Sequence, residues 1–423
     1  MKLLKVDTID QAREKMGSYI QNWQRKTKTV SCEDALNQIS AEDIYALCDI
    51  PSFRRSTVDG YAVAAKDTAG ADESVPVFLN LAGKVQMGKE AGFSIISGEC
   101  AYVPTGGMLP EGADAVVMIE YTDAAPLEQY SQLKQCSKPA QCTSEVISIY
   151  KAVSSGTGMT MTGEDFQKGE LLLKKGSFLR PQEIGALCAA GITNINVLSP
   201  LTLSIISTGD ELVSPPDDPA PGQIRDINTK LINALAVKHG FQVISSQVIP
   251  DDEEPLRAAA SLAAASSDVV IISGGSSQGE KDFTASVISR IAKPGVFTHG
   301  LAVKPGKPAI LGWDEESKTL FAGLPGHPVS AMMVFTLLFN SPRFSIRAAP
   351  PIPAVISCNV PGSPGKTACV PVTLKMKDGI YTAEPVFGKA GMISVLTRAD
   401  GYIEIDINKE GLKKDEQVFV NLL

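Results

Sequence analysis

The sequence predicts a multidomain α/β protein built around a doubly wound, mostly parallel sheet. Between about residues 200 and 340, short apolar strands alternate with helices, a pattern typical of a parallel sheet covered on both faces. Residues 46–150 are instead rich in Val, Gly and Pro, and the last part of the chain alternates apolar and polar residues between glycine turns. These patterns predict a β-rich insert module and a small C-terminal β domain beside the central α/β domain.

The changes of pattern along the 423 residues predict four domains. They are a helical and mixed linker domain (1–45 with 151–199), a β-rich module (46–150), an α/β domain (200–345) and a C-terminal β domain (346–423). The polar stretch 123–142 is expected to be an exposed loop, and the proline-rich stretch 348–354 a linker.

Two helices are predicted near the start of the chain, over residues 8–25 and from Glu33 to Ile39. The first has apolar residues that recur at helical spacing, namely Ile9, Ala12, Met16 and Ile20. A further helix is predicted at Gln182–Ala190, with Pro181 at its start and Gly191 at its end.

The α/β domain is predicted to contain four strands and four helices. The strands are Leu203–Ser207, Phe241–Ile249, Asp268–Ser273 and Thr319–Gly323. The helices are Asn228–Lys238, Glu253–Ala265, Phe283–Ala292 and Val329–Phe339.

Composition argues against several classes of protein. The net charge is −8 and no Lys/Arg block occurs, so neither nucleic acid nor an anionic membrane is the expected partner. The longest apolar run, Ala331–Phe339, is too short to span a bilayer, and no signal peptide is expected. Eight scattered cysteines without a CxxC pair, and only three histidines, favour reduced thiols in a cytoplasmic protein over disulfides or a zinc site.

Chemically active residues follow the predicted strands of the α/β domain, where ligands bind in open α/β sheets. They are Asp210 and Glu211; Asp251 and Asp252; Gly274, Gly275, Ser276, Gly279, Glu280 and Asp282; Lys304 and Lys307; and Pro325, His327, Pro328 and Ser330. We expect these loops to converge at one edge of the sheet.

The residue types in these loops suit a phosphate or a metal oxyanion. The glycines let backbone N–H groups approach a ligand and lead into a helix N-terminus, which favours phosphate. The two lysines add positive charge for an oxyanion. The carboxylates of Asp210, Glu211, Asp251 and Asp282 are ligands of the kind that Mg²⁺ prefers. The set indicates chemistry at a phosphate or oxyanion.

Each of these features also has an ordinary structural interpretation. Asp210 with Glu211, and Asp251 with Asp252, are typical turn or helix-cap residues. The glycine loop is neither a Walker A loop nor GxGxxG, lysines are commonly surface residues, and His327 suits a hydrogen bond within a loop. Their joint occurrence after successive strands is what favours a site.

Eight segments of the chain, in order, resemble the MoeA family and the E domain of gephyrin. They are STVDGYAV (56–63), PTGGMLPEGADAVV (104–117), GED (163–165), STGDEL (207–212), GQIRDIN (222–228), SGGSSQGEKDFT (273–284), KPGKP (304–308) and GLPGHPVSA (323–331). The combination of DGYAV, LPEGADAVV and KPGKP is highly specific.

The resemblance implies four subdomains in an elongated homodimer, whose α/β domain binds molybdopterin across a cleft from the partner's β module. The implied reaction inserts molybdate into molybdopterin-AMP with Mg²⁺ and releases AMP. A molybdopterin adenylyltransferase and apo-molybdoenzymes are implied as further partners.

Matching the motifs residue by residue assigns roles to individual positions. The implied catalytic residues are Asp59, Glu211, Asp251 and Asp282, of which the last three are candidate Mg²⁺ ligands. The implied substrate-binding residues are Thr105, Asp165, Lys304, Lys307, Pro325, Pro328 and Ser330. Asp210, Gly274, Gly275, Ser276 and His327 join this second group because they lie in the same loops.

The chain departs from the family pattern at several places. His327 stands where the family commonly has asparagine, and GGSSQG replaces GGVSVG. Arginines expected in 159–162 and in 366–372 are absent, which leaves Lys366 in the second stretch, and Ser394 follows in a matching loop. The leading hypothesis is a molybdenumtransferase. The alternatives are a cofactor-binding or tungstate-handling paralogue, and an interaction scaffold.

Overall fold

The computed structural model describes residues 6–21, 23, 25–126, 145–274, 283–340, 344 and 350–423. The chain forms two compact units, one of Met1–Lys28 with Leu198–Leu423 and the other of Thr29–Val197. Among the described residues, no helix is both long and apolar enough to cross a membrane.

The first unit contains a six-stranded sheet. Its strands are β1 Thr202–Thr208, β2 Gln242–Ile249, β3 Val269–Ser273, β4 Pro294–His299, β5 Ile310–Asp314 and β6 Thr319–Leu324. Their order is β2-β1-β3-β6-β5-β4. The first four strands of this order run parallel, and β5 is antiparallel to both of its neighbours. The prediction of a mostly parallel α/β sheet is confirmed, whereas β4 and β5 were not predicted.

Six helices of this unit are described. They are α1 Ile9–Ile20, α2 Asn228–Lys238, α3 Glu253–Ala264, α4 Phe283–Ile291, α5 Pro328–Phe339 and α6 Ile393–Arg398. The short strands Leu212–Val213 and Ile224–Arg225 pair between β1 and α2.

Helices cover both faces of the sheet because successive strand residues point to opposite sides. Ile205 and Ile271 belong to a core shared with α1, α2 and α5, whereas Ile206 and Ile272 belong to a core shared with α3 and α4. Nearly every residue of α5 is buried, as expected for a helix that is apolar all round.

The C-terminal part of this unit is a second six-stranded sheet. Its strands are Val303–Lys304, Ile352–Ile356, Thr367–Lys377, Ile380–Pro385, Gly401–Ile405 and Gln417–Leu422, and the strands Val360–Pro361 and Gly411–Leu412 pair beside it. The predicted C-terminal β domain is confirmed. The predicted linker 348–354 is wrong from Ile352 onward, and its first two residues lie outside the described residues.

The second unit is built on a six-stranded sheet that confirms the β-rich module. In spatial order the strands are Ala115–Met118, Gly60–Val63, Glu99–Val103, Val77–Lys84, Glu145–Ile149 and Thr122–Pro126. The remaining strands and the helix are Thr27–Ser31, Ile44–Tyr45, Arg55–Ser56, Met159–Thr160, Leu171–Leu173, Asn194–Leu198 and Pro181–Ala189.

Two further expectations from the sequence need correction. The predicted helix Glu33–Ile39 is only a 3₁₀ turn, Glu33–Ala35, because Asn37 takes a left-handed conformation and its N–H donates to Leu179 O. The predicted loop 123–142 begins with the end of a β-strand, since Thr122–Pro126 pairs with Glu145–Ile149, and residues 127–142 lie outside the described residues. Residues up to Lys28 belong to the first unit, where α1 packs into the core of the central sheet, and the four-domain division stays a prediction.

His239 gives the stability of the first unit a dependence on pH. Its side chain is buried beside Phe335, with ring centroids 5.7 Å apart. Burial lowers the pKa of His239, and the nearby charge of Lys238 lowers it further. The unfolded chain therefore takes up this proton first, at a pH of about 6.5, so the contribution to stability is complete above that pH and declines as the pH falls through it.

We expect the urea midpoint of the wild type to fall between pH 7.5 and pH 5.5 by more than that of His239→Gln. Urea unfolding of both proteins at the two pH values checks this. An equal fall in the two proteins would show that other groups account for the acid sensitivity.

Candidate functional site

Most of the described loops with candidate site residues lie at one edge of the central sheet. The parallel strands β1, β2, β3 and β6 end there, and β5 begins there, because Ile310 pairs with both Gly323 and His299. We call this the carboxyl edge and define it by residues 208–211, 250–252, 274, 300–309 and 325–330.

A hydrogen bond joins Asp210 and Asp251 where β1 and β2 end. The backbone N–H of Asp251 donates to Asp210 Oδ1 at 3.0 Å, and Thr208 Oγ1 donates to Asp251 Oδ1 at 3.3 Å. The Glu211 carboxylate lies over Gly209, since a Cβ on that glycine would be 2.7 Å from Glu211 Oε2. Asp210, Glu211 and Asp251 thus lie in one part of the carboxyl edge.

Asp252 has the ordinary structural role, whereas its neighbour Asp251 does not. Asp252 is the N-cap of α3, and its Oδ1 accepts a hydrogen bond from the Glu254 N–H at 3.0 Å. The helix-cap interpretation is therefore right for Asp252, and Asp251 remains the functional candidate of the pair.

Glycines after β3 and β6 allow the ends of these strands to lie close to each other and to β1. Gly274 has φ +101°, and a Cβ on it would lie 2.4 Å from Thr208 O, so only glycine fits there. A Cβ on Gly326 would lie 3.9 Å from Gly274 Cα. The predicted residues Gly275, Ser276 and Asp282 lie outside the described residues.

Lys304 and Lys307 belong to a turn that packs on α5. Gly306 within this turn has φ +118°, and a Cβ on it would be 2.4 Å from Val334 Cγ2 and 3.7 Å from Ser330 O. Lys304 is exposed and Lys307 is half-buried, and neither forms an ion pair with any residue that the structure describes. Within the described part of the chain, neither ammonium group therefore has a carboxylate partner.

Lys366, the cation that remains where the family has arginines, lies next to this turn. Val303–Lys304 pairs in parallel with Thr367 and Ala368, and Thr367 N donates to Ala302 O at 2.8 Å. The C-terminal domain thus brings a third lysine close to the carboxyl edge.

Replacing Gly306 by alanine tests how firmly this turn is held. The added Cβ would clash with α5 at a positive φ, so we expect a loss of about 1–3 kcal/mol in the free energy of unfolding. The matched control is Gly185→Ala, an exposed helix position with nothing within 4 Å of a new Cβ, where a gain of about 0.5–1 kcal/mol is expected. Urea unfolding measures both, and equal effects at the two sites would contradict the close packing at Gly306.

The loop between β6 and α5 joins the carboxyl edge to the C-terminal domain. Pro325, Pro328 and Ser330 are buried, whereas the His327 side chain is exposed. His327 Cδ2 lies 3.2 Å from the position of a Cβ on Gly391, and Val329 N donates to Ala390 O at 3.1 Å. His327, the residue that departs from the family pattern, therefore contacts the loop before Ser394.

Sequence reasoning missed two residues near this loop. Lys389, next to Ala390, is exposed and forms no ion pair within the described part of the chain. Asn228 connects the ends of β3 and β6. Asn228 closes the motif 222–228, which could have drawn attention to it, whereas nothing in the sequence placed Lys389 beside His327.

The second unit contains the other predicted site residues. Asp59 Oδ1 accepts a hydrogen bond from the Thr105 N–H at 2.8 Å, which brings these two exposed residues together. Gly60, next to Asp59, has no room for a side chain because a Cβ would be 2.0 Å from Val117 O. Asp165 is also exposed, and its N–H donates to Ile50 O at 3.0 Å.

Comparison with known families accounts for both units. Residues 7–191 match the MoeA N-terminal region (domain I and II), 204–345 a probable molybdopterin binding domain, and 353–423 the MoeA C-terminal region (domain IV). The chain is 34% identical to a molybdopterin biosynthesis protein of Methanocaldococcus jannaschii over 97% of this chain and 95% of that protein. The chain belongs to the MoeA family.

Two further relatives agree with this assignment. The molybdopterin molybdenumtransferase of Bacillus subtilis is 30% identical over 95% of this chain and 90% of its own length. The crystal structure of the MoeA protein from Pyrococcus horikoshii is 36% identical and superposes with a TM-score of 0.76, over 99% of each chain. The family and these relatives identify the chain as an enzyme of molybdenum cofactor biosynthesis.

The described residues would hold Mg²⁺ only together with substrate and water. They contain no cluster of three or more His, Cys, Asp or Glu side chains able to hold a metal. Mg²⁺ usually needs only one or two carboxylates, with water and substrate phosphate completing its shell. Asp251, with Glu211 nearby, meets that requirement.

Proposed function

We propose that this chain inserts molybdate into molybdopterin-AMP and releases AMP in a Mg²⁺-assisted reaction. The observation that carries the proposal is the carboxyl edge, where the carboxylates of Asp210, Glu211 and Asp251 lie with Lys304 and Lys307, two lysines that have no ion-pair partner among the described residues. Carboxylates that hold a cation and lysines that hold an oxyanion are the charges that this reaction requires.

Each group has a distinct part in the proposed reaction. Glu211, Asp251 and Asp282 would hold Mg²⁺, which would offset the negative charge of the phosphates. Lys304 and Lys307 would bind molybdate, and the buried Ser330 and Pro328 would shape the site around it. The glycine-rich sequence that follows β3 would let the backbone approach the phosphates closely. The residue types thus match the proposed roles one by one.

We also propose that the active form is a homodimer in which each site uses residues of both chains. Asp59 and Thr105 lie in the second unit, whereas the carboxyl edge lies in the first. The family resemblance implies that these two regions meet across a dimer interface, which supports the proposal. Mixing an Asp59→Ala chain with an Asp251→Ala chain should then restore part of the activity that each variant alone lacks. A fully active monomer in sedimentation would contradict this arrangement.

The second candidate function is a paralogue that carries the cofactor or handles tungstate. The observation that favours it is the substitution of the family arginines, since Met159–Thr160 and the start of the strand Thr367–Lys377 offer no guanidinium group. A scaffold role is less favoured, because scaffolding alone does not need the carboxylates and lysines at the carboxyl edge.

One reaction mixture separates these functions. Purified protein is incubated with molybdopterin-AMP, Mg²⁺ and either molybdate or tungstate, and the released AMP is measured. A transferase releases AMP only when an oxyanion is present. Release with tungstate but not with molybdate favours the tungstate-handling paralogue, and no release with either oxyanion favours a carrier or scaffold.

The product is expected in the cytoplasm, where apo-molybdoenzymes and the molybdopterin adenylyltransferase would be the partners.

A further inference from the structure

The amide of Asn228 joins the ends of two strands beneath the carboxyl edge. Asn228 is the first residue of α2 and is 9% exposed. Its Nδ2 donates to Ser273 Oγ at the end of β3, at 2.9 Å, and to Gly326 O in the loop after β6, at 2.8 Å. One side chain therefore uses both of its donors to fix two loops of the proposed site.

Neighbouring residues hold Asn228 in place. Asp226 Oδ1 accepts from the Thr229 N–H at 3.1 Å, and the hydroxyls of Thr229 and Ser207 are hydrogen-bonded at 2.7 Å. Both Asp226 and Thr229 are buried. The first turn of α2 is thus anchored to β1, so its position does not depend on the two loops that Asn228 contacts.

The carbonyl oxygen of the Asn228 side chain shows that the donors matter. Asn228 Oδ1 is buried and has no hydrogen-bond partner among the described residues. A buried oxygen without a donor is unfavourable, so the favourable contribution of this side chain comes from its Nδ2 group. The two bonds from Nδ2 are the feature that an apolar side chain would not reproduce.

The bond to Gly326 O also fixes the direction of a backbone N–H group. In a trans peptide the carbonyl and the following N–H point in opposite directions, and the Gly326–His327 bond is not among the cis bonds of this chain. With Gly326 O held toward buried Asn228, the His327 N–H points away from it. Gly326 and His327 are both exposed, and the His327 N–H donates to no described residue.

We propose that Asn228 is a positioning residue that presents the His327 backbone N–H to an oxyanion at the carboxyl edge. The inference rests on the proposed function, which supplies a phosphate or molybdate oxygen as the acceptor. The Gly326–His327 peptide leads directly into α5, whose N-terminus favours negative charge. Asn228 acts through this peptide and touches no reacting atom.

The chain offers a direct spectroscopic test, because it contains only three histidines. Selective labelling of histidine with ¹⁵N gives three backbone amide signals, and His327→Asn identifies the signal of interest. In the wild type, adding molybdate or inorganic phosphate should shift the His327 signal in a saturable way and leave His239 and His299 unchanged.

Four variants separate positioning from simple structural support. Asn228→Ala and Asn228→Asp remove the donors, and each should displace the His327 signal before any anion is added and weaken its anion response about tenfold or more. Ser204→Ala, which breaks buried hydrogen bonds farther from this edge on β1, and Ser273→Ala, which breaks only the other hydrogen bond of Asn228, should leave the His327 signal and its response unchanged. Since Asn228→Asp keeps the size of the side chain, it serves if the alanine variant fails to fold.

Different results would contradict the role of Asn228 and the proposed reaction. An unshifted His327 signal in the wild type with either anion, or an undisturbed signal in the folded Asn228 variants, would overturn the inference. Wild-type protein that shows the His327 response but releases no AMP would refute the proposed function and leave the positioning role of Asn228 supported.

Discussion

Alanine at Lys304 or at Lys307 is expected to lower the rate of metal insertion by about 100-fold or more, with little change in folding stability. Both ammonium groups lie at the carboxyl edge without a described ion-pair partner, and the family arginines that would share their role are absent. Each lysine is expected to be needed because a bound oxyanion would be held by the two ammonium groups together. AMP release and cofactor formation measure the first effect, and urea unfolding measures the second.

The matched control for these variants is Lys318→Ala. Lys318 is an exposed lysine that pairs with Glu315 at the far end of β5 and β6, so its loss should leave metal insertion unchanged. Normal insertion by Lys304→Ala and Lys307→Ala would show that both lysines are merely solvated surface charges.

Reliance on lysine also predicts how the site discriminates between oxyanions. Lysine is a compact point charge without the planar two-pronged geometry of arginine, so a tetrahedral oxyanion is held with little selectivity. We expect weak binding of molybdate, similar binding of tungstate, and a marked loss of affinity at high salt because the lysines are at least partly exposed. Calorimetric titration of both anions at two salt concentrations checks this, and tight, salt-independent binding of molybdate would contradict it.

Asp251→Asn is expected to lower AMP release by about 100-fold or more while the protein stays folded. The substitution keeps the shape of the side chain and removes the negative charge that would hold Mg²⁺. Its backbone bond to Asp210 and its contact with Thr208 can persist, so the stability should change little.

The adjacent residue gives a control with the opposite profile. Asp252→Ala removes the N-cap of α3 and should cost about 1 kcal/mol of stability, with AMP release unchanged. Full activity in Asp251→Asn, or a loss of activity in Asp252→Ala, would reverse the roles assigned to this pair. The corresponding change Asp282→Asn is also expected to abolish AMP release, as a prediction from the sequence.

The sequence predicted the parallel core of the α/β domain because its central strands Val269–Ser273 and Thr319–Leu324 are short, largely apolar runs between helices. Val269–Ser273 is buried along its whole length, and the buried faces of the helices follow the helical period. The antiparallel strands β4 and β5 carry no such signal, because prolines and glycines interrupt their neighbourhood. The helix expected at Glu33–Ile39 failed because backbone pairing with distant residues overrides local propensity.

The site could be predicted only as a set of loops. The order of the strands explains why Asp210 and Asp251 lie close together. Only the hydrogen bonds in the structure distinguish Asp251 from Asp252, which caps a helix. The proximity of His327 to Gly391 depends on the packing of the C-terminal domain, which leaves no trace in local sequence. The role of Asn228 depends on the direction of the Gly326 carbonyl, which the sequence does not indicate.

The central claim is that the carboxyl edge binds the oxyanion, and a tungstate complex tests it most directly. Tungsten scatters X-rays anomalously, so a crystal grown with tungstate reports the position of the anion without a model of the ligand. The account predicts a tungsten peak beside Lys304 and Lys307, near Ser330 and the Gly326–His327 peptide, and no such peak in crystals of Lys307→Ala. Tungsten bound only elsewhere in the wild type, or bound equally beside the alanine at 307, would contradict it.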